Sequence, residues 1–314
     1  MRAAVITTLG EPPAIREVPE PVAGEGEVLV EVECAPLNPV DVSIGSGTFY
    51  GGHPPLPYVP GEEAIGRRAD TGERVWVYGR FTGGLAERVA APDARLYPVP
   101  DGADPALAGA AGIGGMTGWL PVAWRAPVRE DDRVLVLGAT GTVGLVALQA
   151  AKLRGAARVV AAGRDADGLE RARRLGADDA VQLDGGDDLV DRLRSACGGD
   201  GPTYVVDPLW GAPLEAAVEA CARHARIVHV GRSAAPEATL KSSDVRGKSL
   251  DLYGLSTGQT PRDELRRGYA ELVQHVMRGE IEIEVERVPF EQLADAWRRQ
   301  AGGSPKRKLV VMLS

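Results

Sequence analysis

Residues 133–164 constrain the fold more than any other part of the sequence. Residues 134–137 are all apolar, a helix-forming segment runs from Leu145 to Arg154, and a second apolar run ends in Gly163-Arg164. Between the first run and the helix lies a glycine-rich turn, Gly138-Ala139-Thr140-Gly141-Thr142-Val143-Gly144. A strand that is apolar at every position is typical of a parallel sheet covered on both faces. The stretch therefore predicts a βαβ unit.

The glycine turn indicates a binding site for a dinucleotide. Glycines at this point of a βαβ unit let the backbone approach a pyrophosphate, and the helix N-terminus offers N–H groups and the positive end of its dipole. A glycine motif alone is weak evidence, but this one follows a buried strand and opens a helix within a unit of the expected length. We interpret residues 138–144 as a phosphate-binding turn.

The composition is that of a globular protein and argues against several partners. Charged residues make up 25% of the 314, and the net charge of −8 disfavours nucleic acid or an anionic membrane. The longest apolar stretch, residues 134–151, approaches membrane-spanning length, but its glycines and threonines fall where a βα turn needs them. The three cysteines fit neither a disulfide framework nor a zinc cluster, and no secretory leader opens the sequence. We therefore expect a cytoplasmic protein without a nucleic-acid or membrane partner.

The pattern of strands and helices predicts two domains. Residues 1–115 read as short strands separated by loops rich in proline and glycine, which suggests a small barrel or sandwich. Residues 116–255 alternate strands with helices, the pattern of a doubly wound α/β sheet. Six parallel strands are expected there, near residues 134–137, 159–162, 180–183, 204–207, 226–230 and 249–255. The tail, 256–314, should form a helix at 264–277 and strands near 281–285 and 308–313, and return to the first domain.

A short-chain reductase is excluded by two features of the sequence. That class needs a tyrosine with a lysine four residues later, and none of the seven tyrosines has one. Its glycine turn also lies at the N-terminus, whereas residue 138 follows a whole β-rich domain.

The full length of the chain resembles the medium-chain dehydrogenase/reductase superfamily, in its zinc-free quinone oxidoreductase branch. The motifs that carry the resemblance are Asn38-Pro39-Val40-Asp41, Pro60-Gly61, Gly83-Gly84-Leu85-Ala86-Glu87, Gly115-Met116-Thr117-Gly118-Trp119, the glycine turn and Val206-Asp207. The resemblance implies a GroES-like β-rich catalytic domain and a Rossmann domain with a six-stranded parallel sheet. It also implies hydride transfer to a small-molecule substrate and a homodimer formed through the last Rossmann strand, 249–255.

The resemblance also provides a test for zinc. Zinc members hold their catalytic metal with a cysteine, a histidine and a further cysteine or acid. In this sequence Asn38, Glu62 and Ile113 stand at about those positions, and the four-cysteine structural lobe is missing. We therefore expect no bound metal. The neighbouring Glu62-Glu63 pair has no assigned role, and both carboxylates could simply be hydrogen-bonded loop residues.

NADPH is the expected cofactor. In NAD enzymes an acid at the tip of the second strand binds the ribose hydroxyl, whereas here that strand ends in Gly163-Arg164. Arginine offers a fork of donors to a 2′-phosphate, and glycine leaves room for it. The alternative is a solvated Arg164 followed by Asp165, whose carboxylate would take the ribose of NADH instead. By resemblance, the other cofactor contacts are Thr117, Gly231 and Leu255.

Asn38, Asp41 and Tyr50 are the expected catalytic residues, again by resemblance. Tyr50 could donate a hydrogen bond to a substrate carbonyl and Asn38 could orient it, or Tyr50 could only pack against Phe49 or Pro57. The segment 61–76 is shorter than in the family, which could open the site to a bulky substrate. The expected reaction is reduction of a quinone or an α,β-unsaturated carbonyl. Reduction of enoyl-thioesters, with Arg67-Arg68 as a basic rim, and non-catalytic binding of NADPH remain alternatives.

Overall fold

The computed structural model describes residues 1–303 and 305–313. They divide into two compact units, the first made of residues 1–114, 269–277 and 283 onward, and the second of residues 115–268 and 278–282. The sequence-based boundaries place 256–268 with the first domain, whereas these residues group with the second unit here.

The first unit is built on a seven-stranded sheet and a separate strand pair. Its strands are β1 (Arg2–Val5), β2 (Ala14–Glu17), β3 (Glu27–Pro36), β4 (Glu63–Arg68), β5 (Arg74–Tyr78), β6 (Arg88–Pro92), β7 (Leu96–Pro98), β14 (Val285–Pro289) and β15 (Lys308–Met312). The pair is antiparallel, β1 with β2, and the sheet runs in the order β14-β15-β3-β4-β5-β7, with β6 also paired to β3. The tail thus returns to the first unit, and β15 pairs antiparallel with β3.

Short helices close the first unit. They are α1 (Pro39–Gly45), α2 (Pro105–Ala110) and α10 (Leu293–Ala301), while α9 (Arg262–Met277) ends in this unit. Side chains from β3, β4, β5, β15 and α10 form a common apolar core that includes Leu37, Leu85, Phe290 and Trp297. The strand expected near 281–285 is wrong in its bounds. Ile281 and Ile283 alternate with acids as in a strand and are buried, but strand pairing begins only at Val285.

The second unit is the expected doubly wound sheet. Its strands are β8 (Arg133–Leu137), β9 (Arg158–Gly163), β10 (Asp179–Gln182), β11 (Tyr204–Asp207), β12 (Arg226–His229) and β13 (Asp251–Gly254). These six parallel strands follow the order β10-β9-β8-β11-β12-β13, so the chain starts in the middle, moves to one edge and then crosses to the other. The helices are α3 (Met116–Leu120), α4 (Thr142–Leu153), α5 (Ala166–Arg174), α6 (Leu189–Cys197), α7 (Gly211–Ala220) and α8 (Ser242–Gly247).

The apolar runs of the sequence are the buried strands of this sheet. All four residues at 134–137 and all four at 159–162 are completely buried, as a parallel strand covered on both faces requires. Among the described residues, one helical segment, Pro105–Arg125, is long and apolar enough to cross a membrane, but 78% of its most apolar window is buried inside the protein. That burial is typical of a core helix.

Candidate functional site

The glycine turn joins β8 to α4 by a route that two of its glycines make possible. Gly138 adopts a φ of +61°, in the left-handed region that favours glycine. A Cβ atom on Gly144 would lie 2.4 Å from the Gly138 carbonyl oxygen, so only a glycine lets the helix pack this closely on the turn. Gly141 is the N-cap residue of α4, with an extended backbone and no side chain over the helix end. The N-terminus of α4 is therefore open to an anion.

The tip of β9 closes one side of this turn. A Cβ atom on Gly163 would lie 2.6 Å from the Thr140 Cγ2 methyl, so the strand end and the turn touch through a glycine. The next residue, Arg164, is exposed, and within residues 1–303 and 305–313 its guanidinium has no ion-pair partner. Asp165 is the N-cap of α5, where its Oδ2 accepts a hydrogen bond of 3.2 Å from the Gly168 backbone N–H. The carboxylate that could have served a ribose hydroxyl thus caps a helix.

Three further expected cofactor contacts also lie in the second unit. Gly231 and Leu255 follow β12 and β13, at the carboxyl edge of the sheet, where ligands of doubly wound folds bind. A Cβ atom on Gly231 would lie 3.0 Å from the Pro208 carbonyl oxygen, and the Leu255 N–H donates to the His229 carbonyl. The Thr117 hydroxyl lies 3.1 Å from that of Thr257.

Asp207, at the end of β11, organises the same edge of the sheet. Its Oδ1 accepts hydrogen bonds from the Leu209 and Trp210 backbone N–H groups, at 2.9 and 3.0 Å. Its Oδ2 lies 2.8 Å from Nδ1 of His229. In the turn that follows β11, the Leu209 side chain lies 3.1 Å from the position that a Cβ atom on Gly138 would occupy. Sequence reasoning found Asp207 as a motif residue but did not find its pairing with His229, because the two lie on different strands.

The first unit contains a second polar centre, formed by Asn38 and Asp41. They make a capping box at the start of α1: Asp41 Oδ2 accepts from the Asn38 backbone N–H at 2.7 Å, and Asp41 Oδ1 accepts from the Glu62 N–H at 2.9 Å. Both side chains are buried. Burial raises the pKa of Asp41, and the two backbone N–H groups oppose that rise. These two residues hold the loops of this centre in place.

Glu63 is the hub of a buried hydrogen-bond network. Its carboxylate accepts from Asn38 Nδ2 at 2.8 Å, Trp76 Nε1 at 2.8 Å and the Ile113 backbone N–H at 2.7 Å. On the other side of Asn38, the Lys308 ammonium donates to Asn38 Oδ1 and to the Leu37 carbonyl. The amide thus bridges a buried acid and a buried base. Burial raises the pKa of Glu63 to about 7 and lowers that of Lys308. Sequence reasoning missed Lys308, which lies 270 residues from Asn38.

Glu62 has a different environment from its neighbour. It is 8% exposed, and its Oε1 accepts a hydrogen bond of 2.9 Å from the Phe81 backbone N–H. Burial raises its pKa to about 7, the Asp41 carboxylate adds to the rise, and the Phe81 N–H opposes it together with Arg80 and Arg95. Glu62 therefore titrates near neutral pH.

Tyr50 stands apart from these buried groups. Its side chain is 81% exposed, and its ring lies 4.5 Å from that of Phe49, centroid to centroid. The contact with Phe49 that the alternative to a catalytic role named is present, and most of the side chain is open to solvent.

The three residues at the expected zinc positions do not fit that metal. Asn38 is committed through its amide to Glu63 and Lys308, Glu62 offers one carboxylate, and Ile113 offers no ligand atom. Within the described residues there is no group of three or more His, Cys, Asp or Glu side chains that could hold a metal ion.

Comparisons with known proteins agree with this architecture. The family model for the alcohol dehydrogenase GroES-like domain matches residues 24–101, and that for zinc-binding dehydrogenases matches residues 142–275. Quinone oxidoreductase-like protein 2 of Rattus norvegicus is 30% identical over 82% of this chain and 75% of its own length. The chain belongs to the medium-chain dehydrogenase/reductase superfamily, in its quinone oxidoreductase-like branch. The expected fold and the expected class of enzyme, an oxidoreductase, are thereby confirmed.

Two further relatives match over nearly the whole chain. The quinone oxidoreductase of Homo sapiens is 26% identical over 100% of this chain and 98% of its own. The quinone oxidoreductase of Thermus thermophilus, solved alone and as a complex with NADPH, superposes with a TM-score of 0.84 at 29% identity, covering 100% of both chains.

Proposed function

We propose that this member of the superfamily is an NADPH-dependent, zinc-independent reductase of quinones or α,β-unsaturated carbonyls. Two neighbouring features carry the proposal. The N-terminus of α4, behind the glycine turn, is open, and the exposed Arg164 at the tip of β9 has no ion-pair partner in the described part of the chain. The first feature suits a pyrophosphate and the second suits a 2′-phosphate. When bound, NADPH supplies a hydride.

The preference for NADPH rests on Arg164 and on the engagement of Asp165. The Asp165 carboxylate is held at the start of α5, where its Oδ2 accepts a hydrogen bond from the Gly168 N–H. A charge-assisted contact from Arg164 to the 2′-phosphate is worth about 1.5–3 kcal/mol. Arg164→Ala should therefore weaken NADPH about ten- to a hundredfold and leave NADH unchanged, as measured by fluorescence titration. An unchanged ratio of the two affinities would contradict the cofactor assignment.

The substrate assignment rests on the relatives and on the accessible donor in the first unit. The relatives are named as quinone oxidoreductases, and their substrate class requires a hydrogen-bond donor for the oxygen that gains charge during reduction. Tyr50 has an exposed hydroxyl and is our candidate donor. Asn38 and Asp41 support Tyr50 indirectly, because their hydrogen bonds fix the start of α1.

The enoyl-thioester alternative loses its structural support. Arg67 pairs with Glu33 at 3.0 Å, and Arg68 pairs with Asp70 and Asp93. These guanidinium groups already have carboxylate partners and do not form a free basic rim for the phosphates of a thioester carrier.

The decisive experiment is NADPH oxidation by the purified protein against a mixed panel of quinones, enones and acyl-thioesters. We expect turnover with quinones or enones, unchanged by a chelator of zinc. Cofactor binding without oxidation of NADPH by any substrate would favour a non-catalytic role instead.

We also propose a cytoplasmic homodimer. Strand β13 lies at the edge of the six-stranded sheet with its Leu252 side chain exposed, an arrangement that can pair with a second copy. The three cysteines are buried free thiols, which suits a reducing compartment.

A further inference from the structure

A small cavity in the first unit is lined by two residues with unused hydrogen-bonding capacity. It is lined by Tyr58, Glu62 and Asp41, among others, and measures about 10 Å³, which is room for roughly one water molecule. The Tyr58 hydroxyl oxygen is buried and has no hydrogen-bond partner within residues 1–303 and 305–313. A buried hydroxyl without a partner is costly, so its position calls for an explanation.

Glu62 is the second such group. The Phe81 N–H occupies its Oε1, and in the described part of the chain its Oε2 has no partner. Asp41 lines the same cavity, but backbone N–H groups occupy both of its oxygens. The residues that line the cavity thus include one with an unengaged carboxyl oxygen and one with an unpartnered phenol oxygen. Both can hold and pass on a proton.

We propose that Glu62 is the proton source of the reduction, acting through the Tyr58 hydroxyl and the cavity. The inference rests on the proposed function. A quinone becomes a hydroquinone by taking up one proton and a hydride, whose electron pair comes from the reduced cofactor, which is thereby oxidised. The Tyr58 hydroxyl gives its proton to the quinone oxygen and takes one from the neutral Glu62 carboxyl, which becomes a carboxylate. A proton taken up from the bulk solvent then restores the neutral carboxyl.

The groups around Glu62 suit this task. Burial and, after it, Asp41 on α1 disfavour the carboxylate, while the Phe81 N–H, Arg80 and Arg95 favour it. The balance keeps the pKa of Glu62 at about 7, near the value at which a general acid is most effective in neutral solution. Burial and the carboxylates of Glu62 and Asp41 raise the pKa of Tyr58 to about 12, so its hydroxyl stays protonated and can relay a proton.

Glu62→Gln tests the proposal without dismantling the loop. The amide oxygen can still accept from the Phe81 N–H, whereas the amide cannot supply a titrating proton. For the native protein we expect kcat with a saturating quinone to fall as pH rises through about 7. For Glu62→Gln we expect kcat to be about a hundredfold lower and flat with pH, with the dissociation constant of NADPH unchanged.

Tyr58→Phe and Glu73→Gln complete the design. Tyr58→Phe removes the hydroxyl that relays the proton. It should lower kcat, while the pH profile of kcat still shows the ionisation of Glu62 near pH 7. Glu73→Gln makes the same chemical change at an exposed carboxylate and should leave both rate and profile unchanged. A Glu62→Gln protein with the native rate and the native pH profile would overturn the proposal while leaving the reductase assignment intact. A native protein inactive on the whole panel would instead overturn the proposed function, and this proposal with it.

Discussion

The burial of Glu62 predicts how the stability of the protein depends on pH. Its pKa rises from an ordinary 4.5 to about 7 in the folded state. Between these pH values the folded protein holds a proton that the unfolded chain releases, so stability falls as pH rises. The stability contributed by the neutral carboxyl is complete below pH 4.5 and is lost as pH rises through about 7.

The size of the effect follows from the difference between the pKa values of Glu62 in the unfolded and folded states. Each pH unit between them corresponds to about 1.4 kcal/mol, so the ionised carboxylate costs about 3 kcal/mol of unfolding free energy above about pH 8. Glutamine resembles the neutral carboxyl and does not ionise. Glu62→Gln should therefore match the native stability at about pH 4 and exceed it by up to about 3 kcal/mol at about pH 8.5.

Urea denaturation at these two pH values, with the midpoint and slope measured for each protein, tests this prediction. The exposed Glu73→Gln variant is the control and should give the native midpoint at both. An equal change in the unfolding free energy of Glu62→Gln at both pH values would refute the prediction, because an effect of packing alone does not depend on pH. No gain at the higher pH would show that Glu62 ionises as an ordinary exposed carboxylate.

Three further predictions concern other parts of the molecule. Gly144→Ala places a methyl 2.4 Å from the Gly138 oxygen, so it should separate α4 from the turn and weaken NADPH binding by about tenfold or more in a fluorescence titration. Lys308→Met removes the buried base of the Asn38 bridge and should lower the unfolding free energy by about 3 kcal/mol in urea; an unchanged midpoint would show that the ammonium contributes nothing net. Leu252→Arg puts a charge on the exposed edge strand β13 and should yield monomers in sedimentation analysis if that edge joins two subunits.

The second unit could be predicted closely from the sequence because its signals are local. Strands β8 and β9 each contain a completely buried apolar run, and the chain after β8, β9 and β11 contains the expected glycines and acid. The positions of Gly138, Gly144 and Gly163 followed from one motif and the strand after it. Their cofactor roles, like that of Arg164, remain predictions that titration can test.

The polar centre of the first unit could not be predicted, because its partners are far apart in the chain. Glu63 receives hydrogen bonds from residues 38, 76 and 113, and the base that faces it across Asn38 comes from residue 308. No pattern in a window of the sequence contains this set. The β-hairpins and the returning tail bring it together only when the sheet closes, with β15 beside β3.

The neighbouring acids Glu62 and Glu63 show why the type of residue alone does not give its role. Burial raises both pKa values to about 7, yet three donors engage Glu63, and Glu62 keeps one oxygen free within the described part of the chain. Protonation of Glu63 would place a hydrogen on an oxygen that already accepts from an N–H donor, and would weaken the bonds to Asn38, to Trp76 on β5 and to the Ile113 backbone. Glu62 can exchange a proton through its free oxygen while the Phe81 N–H stays bound to the other. Of the two carboxyls, only Glu62 can therefore change its charge in each turnover while its surroundings stay in place.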